Sequence, residues 1–172
     1  MILPIVKEPN PILHQKAIPV TTITPEIDRL IADMIQTMYV AEGVGLAANQ
    51  VGSNLNIFVA NSTGEKGKGQ EIVLINAVLQ ERRGKESSPE GCLSLPGVSA
   101  DVTRAATVVA SGLDRTGTPI TIKTSGLLAK ILQHETDHLA GHLFPDRLGL
   151  LARRRILRKY KKTADALRHV HL

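Results

Sequence analysis

The chain has 172 residues, of which 42% are hydrophobic, 22% are charged and none is tryptophan, with a formal net charge of +5. That length and balance suit one globular domain with a sizeable core built on Leu, Ile, Val and Ala. No apolar run reaches the length of a membrane span, and the single cysteine, Cys92, excludes an intrachain disulfide.

The first residues, Met1-Ile2-Leu3-Pro4-Ile5, lack a basic segment followed by an apolar stretch and a small-residue cleavage site. No secretory signal is expected, and a cytoplasmic protein is, with an organelle after processing as the other reading. Residues 1–23 read as an irregular arm with Pro4, Pro9, Pro11 and Pro19. Thr24-Pro25 then supplies an N-cap and a proline at the first helical position. Ile27, Leu30, Ile31, Met34 and Met38 recur at three and four residues, one apolar helix face that stops before Gly43.

The segment Gly43-Val44-Gly45-Leu46-Ala47-Ala48-Asn49-Gln50 has glycines at alternate positions, which let backbone approach another group closely. Gln50 closes it with an amide donor. No strand precedes it and a third glycine is missing, so it is no dinucleotide fingerprint; a tight structural turn is the plainer reading. Strand-like runs follow at 55–60 and 71–76, joined by a polar hairpin loop at 61–70. Residues 77–82 continue or restart a strand, and the charged stretch 81–90 predicts a surface loop. Residues 107–113 and 119–123 predict a second hairpin around Asp114-Arg115-Thr116-Gly117. A helix from about 124 to 141 comes next, capped by Thr124 or Ser125 and ended by Gly141, and another helical stretch runs from Leu148 onward. Strands followed by late helices predict an α+β domain, with antiparallel sheet packed around the first late helix and a C-terminal helix at about 148–170.

That first late helix carries Gln133-His134-Glu135-Thr136-Asp137-His138, which reads H-E-x-x-H. Residues four apart share a helix face, so His134 and His138 can both point at one metal ion. Glu135 can face a bound water as general base. Short motifs also match by chance, and a solvated face or a satisfied core histidine is the competing reading. A catalytic zinc-type site needs a third protein ligand and an open position. No glutamate follows Glu135, and Phe144 stands where a metzincin pattern needs histidine. His142 is out of register and reads as a helix-end or surface residue. Cys92, as thiolate, is therefore the best third ligand, in a His/His/Cys set that suits zinc or a similar first-row metal and is sensitive to oxidation.

Three motifs now stand in order: the glycine segment ending at Gln50, then Glu90-Gly91-Cys92-Leu93-Ser94, then the His134–His138 helix. Together they resemble the peptide deformylase family, and the similarity runs over nearly the whole chain. The resemblance implies that Cys92, His134 and His138 hold one divalent metal, commonly Fe(II), with zinc, nickel or cobalt able to take its place. It implies that metal-bound hydroxide attacks the formyl carbon of an N-formylmethionyl peptide. Glu135 would accept the water proton and pass one to the leaving amine. Gln50 and the backbone N–H of Leu93 would point at the developing oxyanion. Gly43, Val44, Gly45, Leu127 and Ile131 would bind the substrate, Val44, Leu127 and Ile131 lining the methionine slot with His134. Lys130 stands at a position often apolar in the family and is not expected to face that slot. Ser99-Ala100-Asp101 replaces a frequent Arg-Gly-Glu, which touches one contact to the peptide backbone. Glu42 and Arg104 are expected to pair across the site.

The basic residues Arg147, Arg153, Arg154, Arg155, Arg158, Lys159, Lys161, Lys162 and Arg168 crowd the last stretch. A solvated helix face is the plain reading of such a run. The family's bacterial members imply a second reading, ribosome contact, over an apolar stripe of Ile156, Tyr160 and Leu167. A monomer with no membrane partner is expected. Two other function classes compete: a zincin-like endopeptidase, which requires a third ligand other than cysteine, and a non-catalytic ribosome- or RNA-binding module with a structural metal, which requires a fourth protein ligand and indifference to losing Glu135.

Overall fold

The computed structural model describes residues 1–65 and 68–169, with side chains to 166. Its elements are helix α1 (Pro25–Val40), strands β1 (Gly45–Ala47), β2 (Ile57–Asn61), β3 (Glu71–Arg83), β4 (Glu86–Cys92), β5 (Leu95–Arg104), β6 (Thr107–Leu113) and β7 (Pro119–Ser125), then helices α2 (Gly126–Leu139) and α3 (Leu150–His169). Single 3-10 turns occupy Pro11–His14, Ala48–Val51 and Phe144–Arg147. The strands form a five-stranded antiparallel sheet ordered β1-β2-β3-β6-β7 and a separate β4–β5 hairpin.

Strand β2 shows how the layers are built. All five of its residues are buried because both of its faces are covered. Side chains alternate along a strand, so Ile57 and Val59 pack with Ile31, Met34 and Met38 of α1, while Phe58 and Ala60 pack with Ala129, Ile131 and Leu132 of α2. Each large apolar side chain buried there contributes about 1.5–3 kcal/mol. The spacing that predicts α1 is therefore its contact face, and Thr24 caps it by accepting from the Ile27 N–H, with Pro25 at the first position. Helix α2 lies between this sheet and the β4–β5 hairpin, so the expected α+β architecture, with antiparallel sheets around the ligand helix, is what the chain adopts. A third cluster joins β5 to α3 and the N-terminal arm: Leu13, Leu95, Val98, Val102, Phe144 and Tyr160 are buried together.

Several expectations change. Residues 81–90 form no loop: β3 runs on to Arg83, Gly84 turns at φ 69, and β4 starts at Glu86. The hairpin arm is mostly solvated, so its side chains carry no apolar alternation, and the ladder from Glu86↔Arg104 to Cys92↔Leu95 is held by backbone bonds. The arm at 1–23 is irregular but fastened, with Ala17 N–H donating to Leu139 O at 2.8 Å and Ile18 bridging Leu55. The apolar stripe of α3 faces inward, with Ile156 packed and Tyr160 buried against the hairpin. Leu167 and Arg168, the remaining members of that stripe and of the basic run, have side chains outside the described residues, and residue 170 lies wholly outside them.

Candidate metal centre and cleft

Helix α2 holds His134 and His138 one turn apart, and a bend at the end of β4 carries Cys92 toward them. Their ligand atoms, His134 Nε2, His138 Nε2 and Cys92 Sγ, converge: Sγ to His138 Nε2 is 3.2 Å, and the two Nε2 atoms are 3.3 Å apart. Among the described residues these three form the one cluster whose donor atoms all lie within 4.8 Å of one another. Burial pushes the Cys92 thiol up, but attraction to His138 and hydrogen bonds with both histidines outweigh it and hold the group well below its ordinary value. A thiolate beside two imidazoles is the donor set of a first-row divalent metal, so the residues present fit such an ion.

The supporting groups sit behind the ligands. His134 Nδ1 donates to Glu90 Oε2 at 3.0 Å, which turns Nε2 toward the centre. Burial lowers the His134 pKa, but hydrogen bonds to Cys92 and Glu90, and then the Glu135 charge, raise it well above the usual value. Glu90 is gripped by Arg104, whose Nε and terminal nitrogen donate at 2.5 and 2.9 Å. Arg104 also donates to Asp137 at 2.8 Å, and Arg147 closes the network on Asp137. Burial raises the Glu90 and Asp137 carboxyls, yet the hydrogen bonds outweigh it and both stay below the usual range. Arg104 therefore pairs with Glu90 and Asp137, and among the described residues no ion pair joins it to Glu42. On the far side, Asn49 Nδ2 donates to the His138 carbonyl at 2.6 Å.

Glu135 is buried to 3% exposure beside the cluster, and its Oε2 has no partner among the described residues. Desolvation raises its pKa, against the opposing pull of His134 and His138. Its position explains one glycine. A Cβ on Gly45 would stand 2.4 Å from Glu135 Oε1, so only glycine lets the carboxylate sit there. Gln50 accepts from the Ala47 N–H at 2.9 Å, which fixes its amide nitrogen 3.1 Å from Ser94 Oγ and 3.5 Å from Cys92 Sγ.

These groups open on one cleft of about 400 Å³. Gly43, Val44, Gly45, Leu127 and Ile131 line it together with Gln50, Cys92, Leu93, His134 and Glu135, whereas His138 stands buried behind it. Lys130 also lines the cleft, with its ammonium 2.8 Å from Glu86. His142 lies just past the end of α2, about half exposed and 4.0 Å from Asp146. Sequence reasoning missed Glu90 and Asp137 as supports. Their one signal is their place inside the second and third motifs, two residues before Cys92 and one before His138.

The chain matches the family model described as polypeptide deformylase over residues 2–154. It is 46% identical over 161 residues to a peptide deformylase of Alkalilimnicola ehrlichii, covering 94% of this chain and 90% of that protein. It is 44% identical to peptide deformylase 2 of Xanthomonas campestris, covering 94% and 95%. Among solved structures, a peptide deformylase from Legionella pneumophila superposes with a TM-score of 0.90 at 41% identity, over 97% of this chain and 98% of that one. One from Synechococcus elongatus, in complex with actinonin, does so at 0.86 and 41%, over 91% and 86%.

Proposed function

The chain belongs to the polypeptide deformylase family, and we propose that one catalytic domain spanning it removes the formyl group from N-formylmethionyl peptides as formate. The observation that carries this reading is the placement of Glu135: a buried carboxylate, seated over Gly45, beside three converging metal donors and facing the cleft.

Cys92, His134 and His138 would hold one divalent ion, Fe(II) in the cell, with zinc, nickel or cobalt able to replace it. When bound, the ion supplies Lewis acidity that brings a water molecule toward hydroxide near neutral pH. Glu135 takes the proton of the attacking water and returns one to the departing amine, a task suited to a carboxylate whose pKa burial raises. Gln50, its amide held by the Ala47 N–H, presents its amide nitrogen to the oxyanion, and the Leu93 N–H shares that charge. Gly43 and Gly45 line the cleft that takes the peptide, while Val44, Leu127 and Ile131 receive the methionine side chain.

The endopeptidase reading lacks support, since its third ligand is not a cysteine. The structural-metal reading needs a fourth protein donor, and the cluster has three members among the described residues. No helix among the described residues is long and apolar enough to cross a membrane. Separately, we propose a cytoplasmic monomer that contacts the ribosome through α3, whose outer face is basic. The test is formate release from a formyl-Met tripeptide by anaerobically purified protein beside Glu135→Ala. Release by the wild type and its loss in a mutant that still binds metal is the expected result. No release from folded, metal-loaded wild type would overturn the proposal.

A further inference from the structure

Residues 6–8 of the N-terminal arm lie across the back of the site and touch both loops that carry its donors. The Val6 N–H donates to Gln50 O at 2.7 Å and the Glu8 N–H to Ser94 O at 3.1 Å. Between them, Lys7 Nζ donates to Leu93 O at 2.5 Å. That carbonyl belongs to the same peptide group as the Ser94 N–H, and the Ser94 N–H points at Cys92 Sγ from 3.4 Å. A cation on the oxygen end of a peptide group draws electron density through it and makes its N–H a stronger donor. Exposed lysines ordinarily leave the ammonium in water, whereas this one is fixed to a backbone carbonyl one peptide group from the sulfur.

We propose that Lys7 is a positioning residue for the Cys92 thiolate, acting through the Leu93–Ser94 peptide group. It holds the turn after Cys92 against the arm, and it strengthens the Ser94 N–H donor on the sulfur. A sulfur that gives away more density to this donor gives less to a bound ion, which leaves the ion a better Lewis acid. The inference rests on the reading of Cys92 as a metal ligand, and it adds a residue that lies outside all three motifs.

The test uses full-length protein loaded with cobalt(II), whose thiolate-to-cobalt charge-transfer band reports the sulfur's electron density. In Lys7→Met the band moves to longer wavelength. In Lys7→Arg, which keeps the charge and a donor, it stays near the wild-type position, and in Lys7→Gln it falls between the two. Deformylation by Lys7→Met has a kcat lower by about two- to tenfold, the size of one hydrogen bond's net contribution, with KM little changed. A band unmoved in both Lys7→Met and Lys7→Gln overturns the inference while leaving the metal site intact. A wild-type cobalt protein with no such band, or a Cys92→Ser variant that keeps it, overturns the ligand assignment and this inference with it.

Discussion

Two residues define how little room the chemistry has. Gly45 is required by the Glu135 carboxylate, since even a methyl group would meet Oε1 at 2.4 Å. Gly45→Ala must push that carboxylate aside, and a displacement of about 1 Å at a reacting group can cost roughly 100-fold in rate. We expect kcat to fall by about that factor while bound metal, measured by elemental analysis, stays at one ion per chain. Loss of metal together with activity would show that the glycine serves folding and not the carboxylate. Glu90 acts from the other direction, through the Nδ1 of His134. Glu90→Ala frees that ring and leaves Arg104 with one buried partner in place of two. Metal affinity should drop by about 10- to 100-fold, read by competition with a chelator.

The ligand helix is legible in the sequence because its demands are local: apolar spacing, a start and a stop, and two histidines four apart. Helix α1 and the β6–β7 hairpin are legible for the same reason. Strand β4 is not. Its partner is β5, its side chains are mostly solvated, and nothing in Glu86–Cys92 alternates in polarity as a half-buried strand does. The site inherits that blind spot, since Arg104 stands at the far end of β5 and meets Glu90 only once the hairpin has closed. Arg104 is nearly buried with two carboxylates on it, so Arg104→Ala leaves Glu90 with His134 alone and Asp137 with Arg147 alone, and should destabilise by about 3–5 kcal/mol, measured by chemical denaturation. The β6–β7 turn carries a different, exposed device. Asp114 accepts from the Thr116 hydroxyl and from the Thr116 and Thr118 N–H groups, which hold its pKa below the ordinary 3.8. A carboxylate whose pKa is depressed on folding adds stability that is present above its unfolded value and lost as pH falls through the folded one. Asp114→Asn should therefore flatten the acid limb of the stability profile below pH 3.8, and an unchanged limb would assign that limb to other carboxylates.

Across the whole molecule, charge and apolar surface are sorted onto opposite sides of α3 beyond its first turn, where Leu150 and Leu151 are exposed. Ile156, Leu157 and Tyr160 pack against the β4–β5 hairpin, and the Tyr160 hydroxyl donates to Glu8 O at 3.0 Å. Arg154, Arg155, Arg158, Lys159, Lys161 and Lys162 face outward. The stripe beneath the charges is thus taken up by the protein's own body, and what α3 offers a partner past its first turn is cationic. A solvated face would do no more than keep the protein soluble; a ribosome-docking face must show counterion release. Arg154, Arg158 and Lys161 recur at four and three residues on one exposed side. Replacing all three with Gln should leave deformylation of a short peptide within about twofold, since surface changes away from a site act weakly. Ribosome cosedimentation should weaken, and the plot of log affinity against log salt should become shallower by about 2–3, as expected when three phosphate contacts are lost. If binding and its salt slope stay as in the wild type, α3 docks no RNA, and its charge is only the solvated side of a helix that fastens the N-terminal arm to the hairpin.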